Sequence, residues 1–97
     1  MPKIIALKDK ALPDTCLVFK HSTTCPISAR AAEAVRAAST ELPICWIDVR
    51  EQRDLSRWTE ETLGVLHESP QLILRRNGAV ETVWNHWDIK AEIVPAR

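Results

Sequence analysis

The sequence predicts an α/β fold in which helices flank a central mixed sheet of four strands. Short apolar runs that suit buried strands alternate with stretches of helical periodicity. Further along, the pair Asn77-Gly78 separates two apolar runs, which predicts a two-residue hairpin turn because both turn positions need positive φ. The predicted order of elements is therefore β-α-β-α-β-β-α. In this order the first two strands, joined by a helix, are parallel, and the hairpin is antiparallel.

The composition is that of one folded domain spanning residues 1–97, without a charge bias. Thirteen basic and thirteen acidic residues cancel, so we expect neither nucleic acid nor a membrane surface as a partner. The apolar runs are far shorter than the ~18 residues of a membrane span. The start of the chain does not resemble a secretory signal, so we expect a cytoplasmic protein. Residues 1–15, interrupted by Pro2 and Pro13, form a weakly patterned N-terminal segment.

The first predicted strand and helix lie on either side of a cysteine. Cys16–His21 (CLVFKH) is a short apolar run typical of a buried strand. Residues 26 to about 40 follow with helical periodicity, which predicts an amphipathic helix. The apolar side chains of this helix share one face, and the charged ones point away from it. The apolar set is Ile27, Ala31, Ala34, Val35 and Ala38, and the charged set is Arg30, Glu33 and Arg36.

The remaining elements complete an order that resembles a minimal thioredoxin-like fold with a shortened N-terminal segment. Residues 44–49 (ICWIDV) form the second predicted strand, and residues 51–63 form the second helix. Residues 71–84 form the hairpin. Residues 88 to about 94 form a last short helix, for which Asp88 is a suitable cap.

Cys25 lies at the start of the first predicted helix, where chemistry favours a reactive thiol. Pro26 suits the first helical position because its missing N–H would have no partner there. The first turn has unpaired N–H groups and the positive end of the helix dipole, so a thiolate there could accept hydrogen bonds from the amides of Ile27 and Ser28. Helix N-termini are places where cysteines in general become nucleophilic. We predict that Cys25 is the catalytic nucleophile; the alternative is an N-cap cysteine without reactivity.

The bend before Cys25 adds polar groups that could stabilise a thiolate. The hydroxyl of Thr24, or those of Ser22 and Thr23, could donate a hydrogen bond to it, although each could equally be an ordinary turn residue. Upstream, Lys20 and His21 could each supply a cation. Strand alternation points them to opposite faces, so only one can serve, and His21 is the candidate that we carry forward.

Ser28 occupies the position at which a C-x-x-C centre has its second thiol. Without that thiol, an external thiol must resolve a mixed disulfide on Cys25. Cys16 begins the strand that Cys25 follows, so at ~3.3 Å per residue the two lie roughly 15 Å apart or more. A disulfide needs Cα atoms within about 7 Å. Cys45 lies towards the same distant end, so we interpret both as buried structural thiols and the centre as monothiol.

Two further segments are expected to approach Cys25. In a thioredoxin-like order the third strand starts where the first ends, which brings His67, Ser69 and Pro70 towards the cysteine. Proline at the head of a central strand is unusual, and a cis Ser69–Pro70 bond would explain it by presenting the Ser69 backbone to an extended substrate. The alternative is a trans proline that only starts a strand.

The last strand returns to the same end and brings residues 85–88 (NHWD) there. Trp87 could provide an apolar floor, while His86 and Asp88 could bind polar parts of a thiol cofactor. Equally, Trp87 could belong to the core and Asp88 could be only a helix cap. The sequence has no complete set of metal ligands, so we expect no metal site.

Several stretches together resemble the monothiol bacilliredoxin family, thioredoxin-like proteins of the bacillithiol system with a TCPIS motif. They are FKHSTTCPIS (residues 19–28), HESPQ (residues 67–71), the Asn-Gly hairpin and NHWDIK (residues 85–90). The resemblance runs from about Leu17 to the C-terminus. The N-terminal part is shorter and less like the family, which usually has a leading helix before the first strand.

The resemblance implies that the protein reduces mixed disulfides between client proteins and bacillithiol, a low-molecular-weight thiol. Cys25 would attack the bacillithiol sulfur and release the client thiol, and a second bacillithiol would then clear the Cys25–bacillithiol disulfide. Bacillithiol, or another small thiol in its place, would be a co-substrate, with no tightly bound cofactor. The resemblance implies S-thiolated proteins as partners, and we expect a monomer.

Two other functions compete with this interpretation. A thioredoxin-like binding or stress-adaptor module without catalytic turnover would use the same fold. An iron–sulfur carrier would use Cys25 together with an external thiol, although Pro26 directly after the cysteine disfavours it.

Overall fold

A five-stranded mixed sheet forms the centre of the computed structural model, which describes residues 2–97. The strands are β1 (Ile4–Ala6), β2 (Cys16–His21), β3 (Ile44–Asp48), β4 (Gln71–Arg76) and β5 (Ala79–Asn85). Their order across the sheet is β1-β3-β2-β4-β5. The first three in this order pair in parallel, whereas β4 pairs antiparallel with β2 and β5 pairs antiparallel with β4. The predicted parallel pair and the predicted hairpin are both confirmed.

Two α-helices connect these strands. They are α1 (Pro26–Ala37), between β2 and β3, and α2 (Arg53–Leu63), between β3 and β4. Gly64 ends α2 in the left-handed conformation, with φ of 68°, which glycine adopts without a steric penalty. Within residues 2–97, no helix has the length and apolar character that a membrane crossing requires.

Alternation along the strands produces a core on each side of the sheet. On the α1 side, Leu17 and Phe19 of β2 pack in one cluster with Ala31 and Val35 of the helix. On the α2 side, Val18 packs in a second cluster whose other members include Cys16, Cys45, Ile47, Leu55 and Ile73. The two neighbours Lys20 and His21 at the end of β2 therefore face different helices.

The sheet has five strands, and the prediction of four was wrong. The additional strand is β1, which pairs in parallel with β3 through Ile4 opposite Ile44 and Ala6 opposite Trp46. It lies at the edge of the sheet and has only three residues, of which two are exposed. Such a short edge strand is too brief to show a recognisable alternation, and it forms because β3 offers it backbone partners.

The predicted last helix over residues 88–94 was also wrong. The chain instead forms two 3-10 turns, His86–Asp88 and Ala91–Ile93, separated by extended backbone at Lys90. Ile89 and Val94 are both buried in the α1-side core. Five residues apart on one α-helix, these side chains would point about 140° apart, so a break between them is what lets both reach the core.

Candidate active site around Cys25

Cys25 is the N-cap residue of α1, as predicted. Its backbone is extended (φ −104°, ψ 121°), Pro26 follows at the first helical position, and the Cys25 carbonyl accepts the Ala29 amide at 3.0 Å. The thiol is free and half-buried. Within the described part of the chain, the Cys25 side chain forms no capping hydrogen bond. The sulfur therefore stands at the open end of a helix, and its predicted contacts with the amides of Ile27 and Ser28 stay a prediction for the thiolate.

Ser28 is a structural residue of the bend that carries Cys25. Its side chain is fully buried, and its hydroxyl accepts a hydrogen bond from the Ser22 amide at 2.8 Å. This bond ties the first turn of α1 to the start of the bend after β2. The position at which a two-cysteine centre has its resolving thiol is thus filled by a hydroxyl that holds the loop.

Thr24 is hydrogen-bonded to Arg50, a residue that the sequence pattern did not indicate. Arg50 donates from Nη1 to Thr24 Oγ1 at 3.1 Å, and the Asp48 carboxylate holds the Arg50 amide at 3.0 Å. The loop after β3 therefore meets the loop that carries Cys25. The predicted parallel pairing of β2 and β3 could have indicated this contact, because the carboxyl ends of parallel strands lie at the same edge of a sheet. A basic residue two positions beyond β3 was a candidate on that ground.

His21 lies on the α1 side of the sheet, close to aromatic rings. Its ring centroid is 5.9 Å from that of Phe19 and 5.4 Å from that of Trp46. Burial lowers the pKa of His21 more than the nearby Asp48 carboxylate raises it. A lowered pKa favours the neutral ring at pH 7, which weighs against His21 as the cation beside Cys25, and its role there stays a prediction.

Lys20 and His67 form a separate polar cluster on the α2 side. Lys20 is completely buried, and its Nζ donates to Nδ1 of His67 at 3.0 Å. Ser56 Oγ lies 3.4 Å from the same nitrogen, and Glu60 Oε2 accepts the His67 amide at 2.6 Å. Burial, followed by the charge of Lys20, lowers the pKa of His67. His67 is exposed at the edge of α2, where its ring binds the buried Lys20, and this position differs from the substrate-facing one expected for it.

The segments that carry Pro70 and His86 meet, as the predicted strand directions require. The Pro70 carbonyl accepts the His86 amide at 3.0 Å, and the His86 ring lies 3.5 Å from the Glu68 carboxylate. The Ser69–Pro70 peptide bond is cis. The Ser69 hydroxyl is buried and finds no hydrogen-bond partner among residues 2–97. These two segments form a continuous wall at the end of the sheet from which the Cys25 loop leaves.

A groove of about 520 Å³ runs between α1 and the segment after β5. Trp87 lines it and is 58% exposed, so the alternative that Trp87 belongs to the core was wrong. Asp88 is exposed and caps no α-helix, because the chain forms a 3-10 turn there with Asn85 as its N-cap. Arg30, which the periodicity turned away from the core, also lines the groove, with its guanidinium 5.6 Å from the centre of the Trp87 ring. The missed signal was the spacing of Arg30 from Ile27, three residues, which puts both side chains on the same face of α1.

The other two cysteines are buried, as predicted. The Cys16 thiol donates a hydrogen bond to the Pro13 carbonyl at 3.4 Å, and the neighbouring Cys45 thiol, together with burial, raises the pKa of Cys16. Both thiols lie in the α2-side core and are free. Among residues 2–97, no group of three or more His, Cys, Asp or Glu side chains is arranged to hold a metal ion.

Comparisons with known proteins agree with this geometry. The family model of the monothiol bacilliredoxin BrxC matches residues 3–94. A solved structure of a thioredoxin-fold protein that has been proposed to be an oxidoreductase is 34% identical, with a TM-score of 0.75, and the match covers 82% of this chain and 73% of that one.

Two more distant structures share the fold. Trxlp from Edwardsiella tarda EIB202 is 18% identical, with a TM-score of 0.66 and 89% of each chain covered. The zinc-bound form of human ERp44 is 13% identical, with a TM-score of 0.54, and the match covers 95% of this chain but 27% of that protein. These similarities confirm the predicted α/β thioredoxin-like fold class. With its family model matching nearly the whole sequence, the chain belongs to the monothiol bacilliredoxin family.

Proposed function

We propose that the protein is a monothiol thiol–disulfide oxidoreductase that reduces mixed disulfides between client proteins and a low-molecular-weight thiol, with bacillithiol as the first candidate. The observation that carries this proposal is the contrast between Cys25 and Ser28. Cys25 presents a free, half-buried thiol at the start of α1, whereas Ser28 is buried and hydrogen-bonded at the position of a second thiol. Such a centre can form a mixed disulfide but needs an external thiol to resolve it.

The proposed reaction consists of two thiol–disulfide exchange steps. The Cys25 thiolate attacks the small-thiol sulfur of the mixed disulfide, so a Cys25–sulfur bond forms while the bond to the client sulfur breaks. The client leaves as a thiolate and takes a proton from solvent. A second small thiol, as its thiolate, then attacks the small-thiol sulfur on Cys25, which frees the Cys25 thiolate and releases the symmetric small disulfide.

The surroundings of Cys25 suggest roles for the other residues. We propose that Thr24, which accepts a hydrogen bond from Arg50, holds the Cys25 loop in position. We assign the wall of Ser69, Pro70 and His86 to contact with the substrate backbone. We assign Trp87 and the neighbouring Asp88 to binding of the small thiol. The family assignment supports a cytoplasmic site of action, and the proposed reaction requires only one chain.

The test is release of a small thiol from a modified client protein. A client carrying bacillithiol on one cysteine, and the same client carrying glutathione, are incubated with the protein and an excess of the matching free thiol. Release is followed by intact mass. We expect turnover with wild-type protein and none with Cys25→Ala, while Cys45→Ala, a change at a buried thiol outside the site, retains turnover if it folds.

The comparison of the two modified clients identifies the co-substrate. Faster turnover of the bacillithiol-modified client would support bacillithiol as the co-substrate. Faster turnover of the glutathione-modified client would make glutathione the co-substrate, and the type of reaction would stay the same. Full activity in Cys25→Ala, or no turnover with either client, would refute the proposal.

A further inference from the structure

The groove between α1 and the segment after β5, which begins at Ile27, carries two basic side chains on an apolar floor. Arg30 approaches it from α1 and Lys90 from the segment after the first 3-10 turn, and both are exposed. Ile27, Ala31, Ala34 and Ile89 supply the apolar part of the lining. Neither Arg30 nor Lys90 forms an ion pair with another residue of the described chain, residues 2–97. Two cations are thus held at this groove without an anionic partner from the protein.

We infer that this groove binds the carboxylate-bearing arm of the small thiol, with Arg30 and Lys90 as the residues that select an anionic thiol over a neutral or cationic one. This inference rests on the proposed function, because it concerns the co-substrate of the same cysteine. It adds a substrate class and two specificity-determining residues to that proposal.

The groove begins at Ile27, two residues after Cys25, which places it next to the first turn of α1. Arg30 follows Ile27 by three residues, so the two side chains share a face of the helix, and the Arg30 guanidinium lies over the Trp87 ring. A small thiol on Cys25 that extends along this face would bring its carboxylate towards the guanidinium.

The size of the groove fits a small molecule better than a protein segment. Its α1 wall extends from Ile27 to Ala34, about 10 Å. An extended peptide rises ~3.3 Å per residue, so the groove would hold only about three residues of one. Its volume of about 520 Å³ lies within the range of small-molecule sites, roughly 300–1,000 Å³.

The remaining lining residues suit such a ligand. The exposed Trp87 ring offers an apolar face to a carbon chain and holds the Arg30 cation at 5.6 Å. Glu92 also lines the groove and could accept a hydrogen bond from an amine or hydroxyl of the ligand. Two cations and one carboxylate leave a net positive site, which favours an acidic thiol.

Three symmetric disulfides with short chains test this inference: 3,3′-dithiodipropionate, which is anionic, 2-hydroxyethyl disulfide, which is neutral, and cystamine, which is cationic. The Cys25 thiolate attacks one sulfur, the Cys25–sulfur bond forms as the original disulfide breaks, and the other half leaves as a thiolate. The rate of adduct formation is measured by intact mass. Each rate is divided by the rate of the same disulfide with N-acetylcysteine amide, which removes differences in intrinsic reactivity.

We expect the normalised order anionic, neutral, cationic, with the anionic probe roughly three- to tenfold faster than the neutral one, as two exposed charge contacts imply. In Arg30→Gln/Lys90→Gln this ratio falls towards one. In the matched control Arg53→Gln/Arg57→Gln, which removes the same charge from α2 outside the groove, the ratio is kept. Raising the salt concentration lowers the ratio in wild-type protein.

The outcomes separate the two proposals. Two results would overturn the proposal that the groove binds an anionic thiol and leave the oxidoreductase proposal standing. One is adduct formation on Cys25 without a preference for charge, and the other is a preference that both double variants lose equally. Absence of an adduct on Cys25 with all three disulfides would overturn the oxidoreductase proposal, and the groove assignment with it.

Discussion

The Ser28 hydroxyl accepts a hydrogen bond from the Ser22 amide at 2.8 Å, and this bond connects the two ends of the loop that presents Cys25. Ser22 follows directly after β2, and Ser28 lies in the first turn of α1. Ser28 is completely buried, whereas Ser22 is only partly buried, so the bond lies at the boundary between the core and the loop. The serine of the C-x-x-S sequence is therefore part of the support of the site as well as the reason that the centre has one thiol.

We predict that Ser28→Ala destabilises the protein by about 0.5–1.5 kcal/mol, the usual net contribution of an intramolecular hydrogen bond. Urea unfolding measures the change. Ser39→Ala is the control, because Ser39 is exposed beyond the end of α1, and we expect it to change stability by less than about 0.5 kcal/mol. Equal stability of the two variants would show that the Ser22–Ser28 bond contributes little.

We predict that iodoacetamide modifies only Cys25 in the native protein. Cys16 and Cys45 are 0% and 1% exposed, whereas Cys25 is half-buried at the open end of α1. Intact mass should show one adduct under native conditions and three in guanidinium chloride. Cys25→Ser should show no adduct while folded; an adduct appearing there at the wild-type rate would mean that one of the buried thiols is reached.

We predict that stability falls as the pH is lowered from 7 to 5. Desolvation lowers the folded-state pKa of both His21 and His67 below the ordinary histidine pKa of 6.5, so the unfolded chain binds more protons than the folded one in this window. Stability then rises with pH across the window and is lost as the pH falls. Unfolding in urea at several pH values measures it. His21→Gln and His67→Gln should each reduce the slope, and a flat wild-type profile would contradict the neutral state of both rings.

We predict opposite effects for two tryptophans. Trp87 is 58% exposed in the groove, so Trp87→Ala should slow reduction of the small-thiol disulfide and change the free energy of unfolding little. Trp46 packs edge-on against Phe19 with ring centroids 4.6 Å apart, and the Arg36 guanidinium lies 4.6 Å from the Trp46 ring centre. Trp46→Ala should therefore cost about 2 kcal/mol or more.

Activity and urea unfolding, measured on both variants, check this contrast. Loss of stability in Trp87→Ala comparable with that in Trp46→Ala would place Trp87 in the core. Unchanged rates in a stable Trp87→Ala would remove Trp87 from the site.

The sequence by itself determined the elements whose signals are local. The apolar run of β2, the periodicity of α1 and the Asn77-Gly78 turn each depend on residues close together in the chain. The position of Cys25 at a helix start followed from the same kind of signal, because Pro26 marks the first turn. The replacement of a second thiol by Ser28 could be read directly, although its bond to Ser22 could not.

Only the tertiary structure decided which of these residues meet. Strand alternation separated Lys20 from His21, but the packing of α1 and α2 on opposite faces determined that Lys20 binds His67 and that His21 lies beside Trp46. The partnership of Arg30 with Trp87 likewise depends on the segment after β5 crossing α1. The partners in these contacts are separated by between 25 and 57 positions in the sequence. They meet because helices and loops pack on the two faces of one sheet, and a local sequence pattern does not show which of these segments come together.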